Sequence, residues 1–454
     1  MTVPTTGNGI NGTAIKVLPA SFYDQYLSNA AKERKPSPIR GLFPLELEPG
    51  VISMLAGKPN SATFPITSIQ VTSRFPGDPT KEVPLTVEGP ALAEALQYSA
   101  TVGIPSLVTW LTNLQSTEHH RKQGEGWRLS VASGSQDAFY KAITALINDG
   151  DSVLVETPAY AGVIPVYESL HCEMIEVPTD EKGIRTDALR SILESWPAGK
   201  PKPRTLYTVP YGSNPTGITA VLERRLEVLE LSRQHGFLIL EDDPYYYLYY
   251  GKAARLPSYF SLEPQTGEVG RVLRFDSLSK ILSAGIRIGF TTGPIPILNA
   301  MDGHTASANL QTSSLTQAIT FAVLDSWGYD GFKTHTNIVS EFYCQKRDVF
   351  EAAMQRHLDG LAEWSTPEAG MFFWFKLKLS DDPSDEVDSQ AIIREKAFKG
   401  GVLALPGTVF LPSGSKTAYV RAAFSLLGEK DVDEALRRLR VVLLKEREDR
   451  AQKA

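Results

Sequence analysis

The sequence predicts an α/β protein: a large doubly wound domain on a mainly parallel sheet, followed by a smaller α+β domain. Three observations point there. Between about residues 90 and 320, short β-rich apolar runs alternate with stretches of helical period. Those runs are nearly all apolar rather than alternating, as strands covered on both faces must be. After about residue 330 the alternation stops, and a long helical stretch precedes two β-like runs and a charged terminal helix.

Residues 1–14 are polar and rich in Gly, Thr and Asn, the composition of a disordered tail. Residues 15–89 form an N-terminal segment expected to contribute to the smaller domain and to the entrance of a site. The large domain spans 90–330. Its strands are read at SVLVE (152–156), LYTV (206–209), FLILE (237–241) and RVLRF (271–275). Each leads into a polar stretch: TPAY, PYGSNPTG, DDPYY and DSLSK respectively. Phe139, Ile143 and Leu146 fall at i, i+4, i+7 and predict one intervening helix; Leu222, Leu226 and Leu229 predict another. EHHRKQGEG (118–126) and SDDPSDEVDSQ (380–390) read as polar loops. The smaller domain, 331–454, holds a helical stretch at about 334–357, β-like runs MFFWFKL (371–377) and AYVRAAF (418–424), and a terminal helix from Asp431.

Bulk composition narrows the function. A formal net charge of −6 argues against nucleic acid or an anionic membrane as the main partner. Two cysteines, Cys172 and Cys344, make no disulfide framework and suit a reducing compartment. No apolar run approaches a membrane span, and the start lacks a signal or transit pattern, so a cytoplasmic protein is expected.

In doubly wound sheets ligands bind beyond the carboxyl ends of the strands. The polar stretches just quoted sit there. They supply one lysine (Lys280), a carboxylate after a strand (Asp242), two tyrosines (Tyr160, Tyr245) and an asparagine (Asn214). SGSQ (133–136) opens a helix, so the hydroxyls and free N–H groups around Ser135 and Gln136 can cradle a phosphate. Ser277, Ser279 and Arg287 add donors and positive charge. An amine nucleophile, a buried acid, aromatic rings and an anion cradle suit pyridoxal 5′-phosphate. Singly, each residue has a plainer reading: Asp242 as a helix cap, Asn214 as a turn residue, the tyrosines as rim residues, Arg287 as a surface ion pair. Their coincidence in order at strand ends argues otherwise.

Competing chemistries lack their parts. Ser277-x-x-Lys280 is the start of a penicillin-binding serine acyltransferase pattern, but its Ser-Asp-Asn and Lys-Thr-Gly companions are missing. No Gly-x-Ser-x-Gly elbow or Walker loop occurs, and His119-His120 has no metal-ligand spacing, so no metal is expected. A cofactor-sensing transcription regulator would need a DNA-binding domain that the first 35 or so residues cannot supply.

SPIR (37–40), ISMLAGKPN (52–60), ALQYSATVGIPSL (95–107), SGSQDAF, ETPAY, SNPTG, EDDPYY, SLSK and GIRIGF together resemble fold-type I pyridoxal-phosphate enzymes. The resemblance is to the aminotransferase group of fungal aromatic and kynurenine/α-aminoadipate aminotransferases, from about Pro36 onward. It implies that Lys280 is the Schiff-base lysine and proton carrier, and that Asp242 partners the pyridine nitrogen. Tyr245 and Asn214 would bond the ring oxygen, and Tyr160 would stack on the ring. Ser135, Gln136, Ser277 and Arg287 resemble the phosphate cup, with Ser279 as a further member. Tyr98 resembles a residue reaching the phosphate from a second subunit, implying a homodimer with shared sites. Arg421 resembles the fork for the substrate α-carboxylate, assisted by Asn214 and the backbone at Gly57, and Arg40 a mobile arginine meeting the substrate side chain. Lys58 stands where the family often has a hydrophobe. The implied activity is transfer of the amino group of an aromatic L-amino acid to 2-oxoglutarate by a ping-pong mechanism. The alternatives are a kynurenine or 2-aminoadipate aminotransferase, or a lyase or decarboxylase on the same scaffold.

Overall fold

A computed structural model describes residues 15–55, 57–379 and 387–452. Eight strands make the large sheet: β1 (Trp127–Ala132), β2 (Ser152–Thr157), β3 (Glu173–Asp180), β4 (Gly183–Ile184), β5 (Thr205–Thr208), β6 (Leu238–Asp242), β7 (Val272–Ser277) and β8 (Gly289–Pro294). Their spatial order is β1-β8-β7-β6-β5-β2-β3-β4. The central run β7-β6-β5-β2-β3 is parallel, as the apolar runs predicted. β8 is antiparallel to both its neighbours, and β4 to β3. Register sets Phe275 of β7 beside Asp242 and Thr208 of β5 beside Glu241. The carboxyl ends of three adjacent strands therefore lie level, and the segments after them can share one site.

Helix α1 (Ser135–Leu146) packs its predicted stripe, Phe139, Ile143 and Leu146, against Leu238, Leu240 and Phe275 of the sheet. Each such fully buried side chain contributes roughly 1.5–3 kcal/mol of apolar transfer. Helix α2 (Leu222–His235) forms where expected and packs Leu222 and Leu229 of the predicted stripe into the core, but its buried face is turned away from Leu226 toward Arg225. Leu226 is exposed, whereas Arg225, Val228, Leu229 and Ser232 are buried. The reason is Arg225: its guanidinium donates to the carbonyls of Pro210, Ala220 and Pro257 and stacks on Tyr211, pinning the loop after β5. An apolar-period reading passes over a buried arginine. The stretch 118–126 is likewise more than a solvated loop. His119 and Arg121 are buried there, the first bonded to Ser258 and the second to Phe260 O, Glu125 and Glu263.

Helix α3 (Ser314–Leu358) is broken at Gly328, whose φ of 62° and ψ of −176° no helix holds. Before the break it buries Ala318 and Leu324 in the core with Trp110; after it, Phe350, Met354 and Leu358 join a second core. That second core lies under an antiparallel sheet of β9 (Ala362–Trp364), β10 (Phe372–Leu377), β11 (Leu405–Pro406) and β12 (Tyr419–Ala423), ordered β9-β10-β12-β11. Helix α4 (Glu429–Ala451) closes it with Val432, Leu436, Leu439 and Leu443.

The first described residues pack on the large domain, not on the smaller one. Lys16–Val17 pair in parallel with Glu268–Val269, Tyr23 donates to Gly270 O (2.8 Å) and Tyr26 to Gly236 O (3.0 Å). Both phenols are anchored by backbone carbonyls that sequence patterns do not reveal. The predicted loop at 380–390 falls largely outside the described residues. Among those described, no helix is long and apolar enough to cross a membrane.

Candidate active site

β6 ends on Asp242, β7 on Ser277, and the turn after β7 carries Ser279 and Lys280. Beside them α1 starts directly after Gly134, with no side chain capping its first turn, so its N–H groups and positive end are open. Gly134 has φ +91°, and a Cβ there would run into Nη2 of Arg287. Gly289 on β8 is equally committed, since its Cβ would lie 2.5 Å from the Ser135 nitrogen. Two glycines thus let an arginine and a strand come against the helix start. Arg287 donates through Nη1 to Ser279 Oγ (3.2 Å) and Ala284 O (3.1 Å), and through Nη2 to Ser133 O (3.0 Å).

A cavity of about 250 Å³ opens between these segments. Ser135, Gln136, Tyr160, Asn214, Asp242 and Tyr245 line it, as do Ser277, Ser279, Lys280 and Arg287. Every cofactor-binding residue named from the sequence except Tyr98 is therefore brought together. Arg421 reaches the same place from the smaller domain: Nη1 donates to Asn214 Oδ1 at 2.8 Å, and the guanidinium lies over Phe372 (4.3 Å) and Phe410 (5.1 Å). Its buried Nε has no partner among the described residues. Tyr98 and Gly57 do not line the cavity; Tyr98 is 52% exposed. The Arg40 side chain lies outside what the structure describes. The Gln136 side-chain nitrogen is spent on Gly162 O (2.8 Å), which holds the turn after Tyr160, so its backbone N–H is the group left for an anion.

The electrostatics are uneven across the cavity. Asp242 is buried, and burial, with repulsion from Asp243 and Asp276, pushes its carboxyl up to about 7 despite the opposing pull of a Tyr207 hydrogen bond and Arg274. Its Oδ2 accepts from Tyr207 (2.7 Å), while its buried Oδ1 has no partner among the described residues. Lys280 is pulled below its ordinary range by burial first, then by the cations Arg287 and Arg421, which favours the neutral, nucleophilic amine. Beneath the strand ends, buried Arg274 pairs with Asp243 (2.8 Å), Asp276 (2.9 Å) and Glu241 (3.4 Å).

Sequence reasoning missed Tyr207, Phe372, Val209, Pro244 and Ala284, all at the cavity or bonded to a residue that lines it. Only Tyr207 left a trace, as a ring with a polar tip inside the parallel run LYTV. The others look like ordinary core residues.

This donor set fits pyridoxal 5′-phosphate. An unpartnered buried carboxylate oxygen suits a protonated ring nitrogen, and an uncapped helix start with Arg287 suits a phosphate. A lysine of lowered basicity suits an aldehyde. The sequence also matches the class I and II aminotransferases over residues 90–439. The chain belongs to that family. An aminotransferase of Emericella nidulans, tdiD, is 42% identical over 91% of this chain and 94% of its own length. The mitochondrial kynurenine/alpha-aminoadipate aminotransferase of Bos taurus is 38% identical over 92% of this chain and 98% of its own. The crystal structure of the aromatic aminotransferase Aro9 from Candida albicans superposes with a TM-score of 0.81 at 26% identity, covering 93% of this chain and 98% of that one. This aminotransferase therefore adopts the fold-type I architecture and uses pyridoxal 5′-phosphate. Bound, that cofactor supplies an aldehyde that accepts an amino group and a protonated ring that withdraws electrons from the substrate Cα.

Proposed function

We propose that this aminotransferase moves the amino group of an aromatic L-amino acid to 2-oxoglutarate by a ping-pong mechanism, as a homodimer. The observation that carries the reading is the setting of Arg421. A guanidinium bonded to Asn214 at the cavity and lying over the rings of Phe372 and Phe410 offers a carboxylate fork bordered by apolar rings. The name of the Candida albicans relative points the same way.

In this reading Lys280 would be the amine that holds the cofactor and would carry the proton at the substrate Cα. Asp242 faces the ring nitrogen, Tyr245 and Asn214 the ring oxygen, and Tyr160 the ring face. The Ser135 hydroxyl, the Gln136 N–H, Ser277, Ser279 and Arg287 take the phosphate. Tyr98, exposed and away from its own cavity, is free to serve the partner's. Arg40 meets the side chain or distal carboxylate of the substrate, with Gly57 near the α-carboxylate. The divisions expected from the sequence, 90–330 and 331–454, are proposed to act as cofactor-binding and substrate-clamping units.

A second reading has its own support: the Bos taurus relative acts, by its name, on kynurenine and α-aminoadipate. Rates of amino transfer from phenylalanine, tyrosine, tryptophan, kynurenine and 2-aminoadipate at matched 2-oxoglutarate separate the two. Highest kcat/KM for phenylalanine, tyrosine or tryptophan supports the proposal. Highest kcat/KM for kynurenine or 2-aminoadipate replaces it with the second reading.

A further inference from the structure

Asp242 is held from below in a way the cofactor contacts do not explain. Tyr207, in the middle of β5, is 1% exposed, and its hydroxyl donates to Asp242 Oδ2 at 2.7 Å. The other oxygen, Oδ1, is left unpartnered among the described residues at a cavity-lining side chain. A carboxylate has two oxygens and rotates about one bond; fixing one oxygen fixes the direction of the other. The tyrosine ring cannot drift, because Phe139 meets it edge-on at 5.2 Å and the strand is buried on both faces. Burial and the neighbouring carboxylate push the Tyr207 hydroxyl well above its ordinary range, so it remains a neutral donor at every working pH.

We infer that Tyr207 is a positioning residue that orients and polarises Asp242, so that Oδ1 presents a fixed charge to the ring nitrogen of the cofactor. This rests on the reading that Asp242 faces that nitrogen. The bond has two effects. It removes the rotational freedom that Asp242 would otherwise lose on each binding event, and it favours the ionised carboxylate, since an O–H donor stabilises the charged form. A hydrogen bond to a charged group is worth enough for about a tenfold or larger change in an equilibrium.

The structure supplies its own control. Tyr167 is also fully buried and also meets Phe139 edge-on, at 5.7 Å, yet its hydroxyl has no partner among the described residues. Tyr167→Phe and Tyr207→Phe each delete one oxygen from one aromatic cluster, and only the second touches Asp242.

The experiment titrates apoenzyme with pyridoxal 5′-phosphate, following cofactor absorbance, and records the pH dependence of the bound spectrum for wild type, both phenylalanine variants and Asp242→Asn. Tyr207→Phe is expected to weaken cofactor binding about tenfold, to shift the spectroscopic pH midpoint, and to lower kcat with little change in amino-donor KM. Tyr167→Phe should match wild type in all three. In the Asp242→Asn background, adding Tyr207→Phe should change affinity less than twofold. If Tyr207→Phe matches Tyr167→Phe while Asp242→Asn weakens binding, the positioning role is wrong and the assignment of Asp242 stands. If Asp242→Asn leaves affinity and spectrum unchanged, both fall together.

Discussion

Replacing Asp242 by asparagine should make the cofactor-free protein more stable above neutral pH while loosening its grip on the cofactor. An unfolded aspartate releases its proton near pH 3.9. In the cofactor-free fold burial raises that group to about 7. Across the interval the native state keeps a proton that the unfolded chain has lost, so stability falls as pH rises, by about 1.4 kcal/mol per unit. Over roughly three units the penalty reaches about 4 kcal/mol. It is complete above pH 7 and absent near pH 4. Asparagine has the same shape, can still accept from Tyr207, and carries no charge. For a chain of 454 residues the unfolding entropy is about 1 kcal/mol per kelvin, so the gain corresponds to about 4 °C in Tm. Losing a charge-assisted contact to the ring nitrogen costs roughly 1.5–3 kcal/mol, a 10- to 100-fold weaker cofactor Kd. Melting of both apoproteins from pH 4 to 8.5, followed by cofactor titration, reads both effects. A Tm difference that stays constant across that range, or an unchanged Kd, would refute the reasoning.

Arg421→Lys removes the planar fork and its stacking on Phe372 and Phe410, so KM for the amino donor should rise 10- to 100-fold while cofactor affinity moves less than about twofold; steady-state kinetics and a cofactor titration check this. Gly134→Ala forces a side chain into a backbone with φ +91° and against Arg287. A strain of about 1–3 kcal/mol at the phosphate cradle should speed cofactor loss on dilution some 5- to 100-fold, and a wild-type off-rate would contradict that use of the glycine. Arg40→Ala should slow turnover with 2-oxoglutarate more than turnover of an aromatic donor in single half-reactions; equal losses would remove Arg40 from the side-chain role.

The central strands were legible because burial on both faces leaves nearly all-apolar runs between polar stretches, as in FLILE before DDPYY. The cavity was legible for the same reason. Asp242, Ser277 and Lys280 sit at or just past strand ends, where a doubly wound sheet puts its ligands. What stayed hidden depends on pairs distant in sequence. Tyr207 finds Asp242 across 35 positions, and buried Arg225 is met by the carbonyls of Pro210 and Pro257, 15 and 32 positions away. Tyr23 and Tyr26 dock through carbonyls at Gly270 and Gly236, more than two hundred residues away. Apolar periodicity records which face is buried, not which polar group waits there. Gly134 and Gly289 read as ordinary turn and strand glycines until Arg287 and Ser135 are seen against them.

Among the cavity residues, Lys280 carries the most chemistry. Borohydride treatment of the cofactor-loaded enzyme fixes the cofactor to whichever amine carries it, and digestion with mass spectrometry then finds that peptide. One modified peptide is expected, the one containing Lys280, with protection of that site when an amino donor has displaced the lysine beforehand. Attachment at another lysine, or none on enzyme that still transfers amino groups, would contradict that role for Lys280.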